Sequence, residues 1–192
     1  MFIQTEDTPN PTTLKFIPGS TVMPKGTAAF AKIDNDYQHS PLAIKLFTSS
    51  YVKAIFFGSD FITITKTDDI EWDLLKPEVL AIIMDHFVSG GEVIATNNNT
   101  DASEKNQIKE DDSEIVKQIK SLLDERVRPA VAMDGGDIIF HRYEEGVVYL
   151  EMHGACSGCP SSAVTLKSGI ESMLKHFIPD IISVQDTNAQ SE

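Results

Sequence analysis

The chain of 192 residues has only two cysteines and one tryptophan, and its 16 lysines and arginines face 29 aspartates and glutamates. Each shortage excludes something. A bridge between Cys156 and Cys159, three positions apart, would close too short a loop to stabilise a fold, so a disulfide framework is excluded and free thiols in a reducing compartment are expected. The formal charge of -13 argues against a nucleic-acid footprint and against attraction to anionic lipid, which leaves proteins as the partners. No apolar run approaches the roughly 20 residues of a membrane helix, and no basic stretch followed by an apolar core opens the chain. A soluble protein of the cytoplasm, bacterial in type, is expected, with a processed mitochondrial form as the other setting. No fixed-period repeat is present, which excludes a tandem array.

The length suits two small domains, each with a modest core. Residues 92–111 are rich in Asn, Asp, Glu, Lys, Ser and Thr and poor in apolar residues, so they read as an acidic flexible linker between a first domain at 1–91 and a second at 112–186. Residues 187–192 read as a disordered tail. An α+β fold is expected, each domain a short sheet with helices packed on it. In the first, strands are expected at 2–5, 13–17, 28–31, 52–57 and 61–66. A short helix starts at Ser40-Pro41, and a longer one follows Pro77. In the second, the order is α-β-β-α-β with a mixed sheet: a helix capped by Asp111 or Asp112 and closed by Pro129, strands at 138–142 and 147–152, a helix from Pro160, and a strand at 181–185. Two strands are antiparallel and the third is parallel to its predecessor through a right-handed crossover, with helices on one face.

Chemistry concentrates at Gly154-Ala155-Cys156-Ser157-Gly158-Cys159-Pro160, a strand-to-helix turn where free N–H groups and the helix dipole favour thiolates. An iron-sulfur cluster or a tetrahedral zinc normally takes four protein ligands, and this chain supplies two thiols. Sharing the site between two copies would give four. A dithiol of thioredoxin-like chemistry also fits a CxxC at a helix start, and two inert, packed cysteines are the bland alternative.

Other candidates are weaker. His39 and His86 lack neighbouring ligands in sequence and read as loop or helix-surface residues. Trp72 with Phe56, Phe57 and Phe61 reads as core rather than as a base-stacking platform. Asp134-Gly135-Gly136-Asp137 lacks the Lys-Ser/Thr of a phosphate loop and the spacing of an EF-hand, so a tight turn with positive φ is the better account. His153 and Arg142 are the polar neighbours expected near the thiols.

The run from Met133 to Asp137, followed by Leu150-Glu151-Met152-His153 and the CxxCP motif, resembles the C-terminal domain of the NifU/Nfu family of iron-sulfur scaffolds. Thr8-Pro9-Asn10-Pro11-Thr12-Thr13-Leu14-Lys15-Phe16-Ile17-Pro18-Gly19 is similar to the opening of the Nfu N-terminal domain. The resemblance implies a scaffold or carrier, not a turnover enzyme, that holds a [4Fe-4S] cluster between two protomers with Cys156 and Cys159 as ligands. It also implies a homodimer on cluster binding, an upstream cluster-assembly donor, and apo iron-sulfur proteins as acceptors. A thiol-disulfide oxidoreductase is the runner-up, and a zinc-bridged adaptor dimer is a third class.

Overall fold

The computed structural model of the chain describes residues 2–95, 106–157 and 160–187. It divides into two compact units, residues 1–101 and 102–192. In the first, β1 (Gln4–Asp7), β2 (Thr13–Ile17), β3 (Ala28–Ala31), β4 (Val52–Phe57) and β5 (Ile62–Lys66) form an antiparallel sheet in the order β1-β2-β5-β4-β3. Leu14, Phe16, Ile55, Phe57, Ile62 and Ile64 turn one face of that sheet to the core. Helices α1 (Pro41–Leu46) and α2 (Trp72–Val88) cover it through Leu42, Leu46, Leu75, Val79 and Ile83. The opposite face carries a smaller cluster in which Phe61 meets Phe56 and takes the Lys15 ammonium over its ring at 4.9 Å. The aromatic residues are therefore packing residues, and Trp72 meets Phe16 edge-on while its indole N–H donates to the Pro11 carbonyl at 3.1 Å.

Three expectations need correction in this unit. The first strand starts at Gln4 rather than at residue 2, and α2 begins at Trp72, so Pro77 lies inside it. An interior proline removes one helical hydrogen bond, and the apolar anchors Leu75, Val79 and Ile83 hold both sides of it to the sheet. His86 is not a surface residue. It is only 2% exposed, its Nε2 has no hydrogen-bond partner among the described residues, and its ring occupies the space a side chain at Gly91 would need, 2.6 Å from a Cβ placed there. Burial, and secondarily the Lys45 charge, pull its pKa below the ordinary 6.5.

The buried His86 makes the stability of the unit pH-dependent. A base with a depressed folded pKa binds more protons when unfolded, so its full contribution is present above about pH 6.5 and is lost as the pH falls towards the folded pKa. Urea midpoints at pH 7.5 and 5.5 should therefore differ more for the wild type than for His86→Gln. Equal differences would remove His86 as the source.

In the second unit the helical run holds α3 (Glu114–Leu122), a π-turn over Leu123–Val127 and α4 (Arg128–Met133). Then follow β6 (Gly136–Glu144), β7 (Val147–Gly154), α5 (Pro160–Phe177) and β8 (Ser183–Asp186). The expected order and pairing are present: β6 and β7 are antiparallel, and β7 and β8 are parallel. Ile138, Phe140, Val148, Leu150, Met152 and Val184 point to one face, where Ile119, Leu123, Val127, Ile170 and Leu174 from the helices cover them.

Pro129 does not close the helix as expected. The Arg128 N–H donates to the Leu123 carbonyl five residues back, and this wider turn brings Pro129 in near the start of a fresh helical segment, where its missing N–H costs little. The cap of α3 is Ser113, whose hydroxyl accepts from the Val116 N–H at 3.3 Å. Asp112 instead accepts from the Lys109 N–H and the Lys120 ammonium.

Both ends of the expected linker are tied down. Val93 is buried and its carbonyl accepts from the Ser40 hydroxyl, while the Ala95 N–H donates to the His39 carbonyl. At the other end the buried Asn106 donates to the Ile138 carbonyl at 3.0 Å and accepts from the Phe140 N–H at 2.6 Å. The stretch 96–105 lies outside the described residues. So does the expected tail beyond Thr187, whose N–H donates to the Leu150 carbonyl at 2.9 Å. No helix among the described residues is long and apolar enough to cross a membrane.

Candidate functional site

Strand β7 ends at Gly154, which takes a left-handed φ of 65° and turns the chain towards α5. Ala155 and Cys156 fold inward after it, and the Ser157 N–H closes the turn on the Gly154 carbonyl at 3.1 Å. Across the sheet end, Gly136 pairs with Gly154 and Asp137 with His153. Gly135 has a φ of 84°, and its carbonyl accepts from the Ala155 N–H at 3.1 Å. The positive φ expected of the Asp-Gly-Gly-Asp turn is thus at Gly135.

Gly136 has a different role, which sequence reasoning missed. A Cβ on it would fall 2.5 Å from Cys156 Sγ, 2.7 Å from the His153 carbonyl oxygen and 3.1 Å from the Cys156 nitrogen. The Cys156 thiol is seated directly over the bare backbone of Gly136. Two adjacent glycines before a strand were the available signal: one accounts for a turn, and the second is explained by close approach.

The turn is clasped from the helical side. Arg128 donates through Nε to Asp137 Oδ1 at 2.8 Å and through Nη2 to Asp137 Oδ2 at 3.0 Å, and its Nη1 reaches Asp124 Oδ1 at 2.7 Å. Asp137 is 4% exposed and also accepts from the Ile138 N–H. This forked pairing holds the start of β6 against the helical run. Hydrogen bonding to Asp137, against the opposing effect of burial, raises the Arg128 pKa above the ordinary arginine value. The π-turn sets the helical phase from which Arg128 reaches both carboxylates.

Cys156 is 6% exposed and unbridged. Burial first, and then the charges of Asp134 and Asp137, push its thiol up to about 12. The expectation that the helix start favours a thiolate is thereby corrected for Cys156. Cys159 and Gly158 lie outside the described residues, as do the side chains of residues 160–163; α5 itself begins at Pro160, as the proline rule requires. Among the described residues no three His, Cys, Asp or Glu side chains gather as a metal site. His153 leans on Glu151 at 3.3 Å, and Arg142 stacks on Tyr149 at 4.1 Å while pairing with Glu144.

Residues 3–90 match the family model for the N-terminal part of the scaffold protein Nfu/NifU, and residues 119–185 match that for the NifU-like domain. The chain belongs to the Nfu/NifU family. That is a family of scaffold proteins, not of enzymes. The mitochondrial NFU1 iron-sulfur cluster scaffold homolog of Drosophila sechellia is 52% identical over 185 residues, covering 96% of this chain and 64% of that protein. Its counterpart in Drosophila virilis is 53% identical over 186 residues, covering 96% and 61%. This chain therefore spans less than two thirds of the length of those Nfu relatives. The solution structure of a NifU-like protein from Saccharomyces cerevisiae aligns with a TM-score of 0.46 at 27% identity, over 50% of this chain and 87% of that one.

Proposed function

We propose that this Nfu protein is an iron-sulfur scaffold and carrier that holds one [4Fe-4S] cluster between Cys156 and Cys159 of two protomers and delivers it to apo-proteins. The observation that carries the reading is the ligand count. The whole chain has two cysteines, so four thiolates require a second copy. The Drosophila relatives are named as iron-sulfur cluster scaffolds, which supports the cargo. The proposed arrangement is two folded domains, 1–91 and 112–186, with Val93 packed onto the first and Asn106 onto the second, around a central linker, with an upstream donor and apo iron-sulfur acceptors as partners. The cytoplasm proposed here and the mitochondrion named for the relatives are both reducing settings in which the thiols stay free.

In this reading the cluster is cargo, and the chain's own groups do the holding and releasing. Gly136 and Gly154 admit the ligand loop, Arg128 and Asp137 fix its platform, and metal binding displaces the thiol protons. The burial of Cys156 counts against the dithiol oxidoreductase, whose attacking sulfur needs access.

Anaerobic reconstitution with iron and sulfide tests the proposal. The expected product is a dimer with about two irons per chain, and Cys156→Ser or Cys159→Ser should abolish both cluster and dimer. A cluster on a monomer would overturn sharing, and a colourless zinc dimer would overturn the cargo. For delivery, an apo-acceptor should gain cluster in the presence of a chelator that blocks its activation by free iron and sulfide. Equal inhibition of both would overturn direct transfer.

A further inference from the structure

Helix α2 is apolar on two opposite sides. Leu75, Val79, Ile83 and His86 are buried in the core of the first unit. Leu74, Ala81, Met84 and Val88 follow one another seven, three and four residues apart, which at about 100° per residue gathers them into a single stripe on the other side. The stripe is roughly 21 Å long at ~1.5 Å rise per residue. All four residues are exposed, Leu74 at 72% and Val88 at 70%. Beside the stripe, on the core-packed side of the helix, Phe87 lines a separate groove of about 420 Å³ with Phe2 and Pro18.

The borders of the stripe are acidic. Glu71 and Glu78, seven residues apart, follow one flank and Asp73 starts the other; none of the three has a salt-bridge partner among the described residues. Asp85, on the Glu78 flank, is held by Lys45 at 2.9 Å. An exposed apolar helix stripe of this length is a recognition surface for another helix. The charge on its borders selects the partner. A second copy would bring its own acidic borders into a chain that already carries -13, and an anionic lipid surface would be repelled.

We propose that the exposed stripe of α2 docks an amphipathic helix of a protein partner, with apolar side chains along the stripe and lysines or arginines opposite Glu71 and Glu78. The site is in the unit without cysteines, so it stands whether or not the cluster reading does.

The test uses the full chain and a synthetic helical peptide of about 18 residues, long enough to cover the stripe, with a leucine stripe flanked by lysines. Its controls are the same peptide with glutamate for every lysine, and a scrambled lysine peptide of equal charge without a stripe. Titration into isotope-labelled protein should give amide shifts on α2 and an affinity at least about tenfold higher for the striped lysine peptide than for either control. The double variant A81E/M84E changes only exposed side chains and should lower that affinity about tenfold with the remaining amide spectrum unchanged, and Glu78→Lys should lower it as well. Equal binding of striped and scrambled peptides would overturn the proposal, as would variants that bind like the wild type. Two further results would also overturn it by naming another occupant: a wild-type dimer that A81E/M84E dissociates, or peptide-free shifts of the second unit's amides in that variant.

Discussion

Gly136→Ala is expected to reduce cluster loading to below about a tenth of the wild-type level, an effect comparable to loss of a ligand. The added Cβ would lie 2.5 Å from Cys156 Sγ and 2.7 Å from the His153 carbonyl oxygen, both closer than side-chain carbons approach their neighbours. Rotating the thiol away relieves only the first clash. The second is with backbone, so the paired ends of β6 and β7 must part, at a cost of roughly 1–3 kcal/mol typical of overpacking. Iron and sulfide per chain after reconstitution, read beside a thermal melt, check this. Gly169→Ala is the control: a Cβ there meets nothing within 4 Å, and a helical glycine replaced by alanine should gain roughly 0.5–1 kcal/mol while loading stays unchanged. Normal loading of Gly136→Ala would show that the thiol does not need its glycine seat.

Breaking the Arg128–Asp137 clasp should be the most damaging single change to the stability of the second unit. Arg128→Met leaves the buried Asp137 carboxylate without its forked cation, and removal of one partner of such a pair costs about 3–5 kcal/mol. Asp137→Asn keeps the shape and should cost less. Because both side chains act through one contact, the double variant should be more stable than the sum of the single effects predicts, and additivity within about 0.5 kcal/mol in denaturant melts would show that they do not form a unit. Arg128→Lys retains the charge without the fork and should recover only part of the loss. Cluster retention should follow the same order, since the clasp holds the turn on which Cys156 rests.

The strand order of the second unit was legible because its signals are local: alternating apolar residues from Val147 to Met152, a proline at the start of α5, and a glutamate-glycine turn between β6 and β7. Features set by the interior were not. Pro129 obeys the rule that a proline ends an α-helix only where the helix keeps its ordinary phase, and the π-turn before it changes that phase. The exposed stripe of α2 was invisible because periodicity registers one apolar face against a polar one, and this helix has apolar residues on both sides. His86 was misread for a related reason: composition marks histidine as polar, whereas Gly91 supplies the space that lets its ring sit inside. At the site, the two cysteines and the glycine pair stand out in sequence. Which glycine serves the thiol, and how far Cys156 is withdrawn from water, depend on a strand pairing that no local pattern carries.

Asn106 sits outside the expected second domain, yet its side-chain amide occupies two successive hydrogen-bonding positions on the open edge of β6, at the Ile138 carbonyl and the Phe140 N–H. One residue thus does what an extra strand would do. A three-stranded sheet with an uncovered outer strand invites another chain to pair along it, a route to aggregation or swapped assemblies. With Asn106 on its outer side, β6 offers fewer free backbone groups for another chain to pair with. A C-terminal piece cut at residue 112 discards this protection together with the carbonyl of Gln107 that anchors Lys120, whereas a cut at residue 102 keeps both.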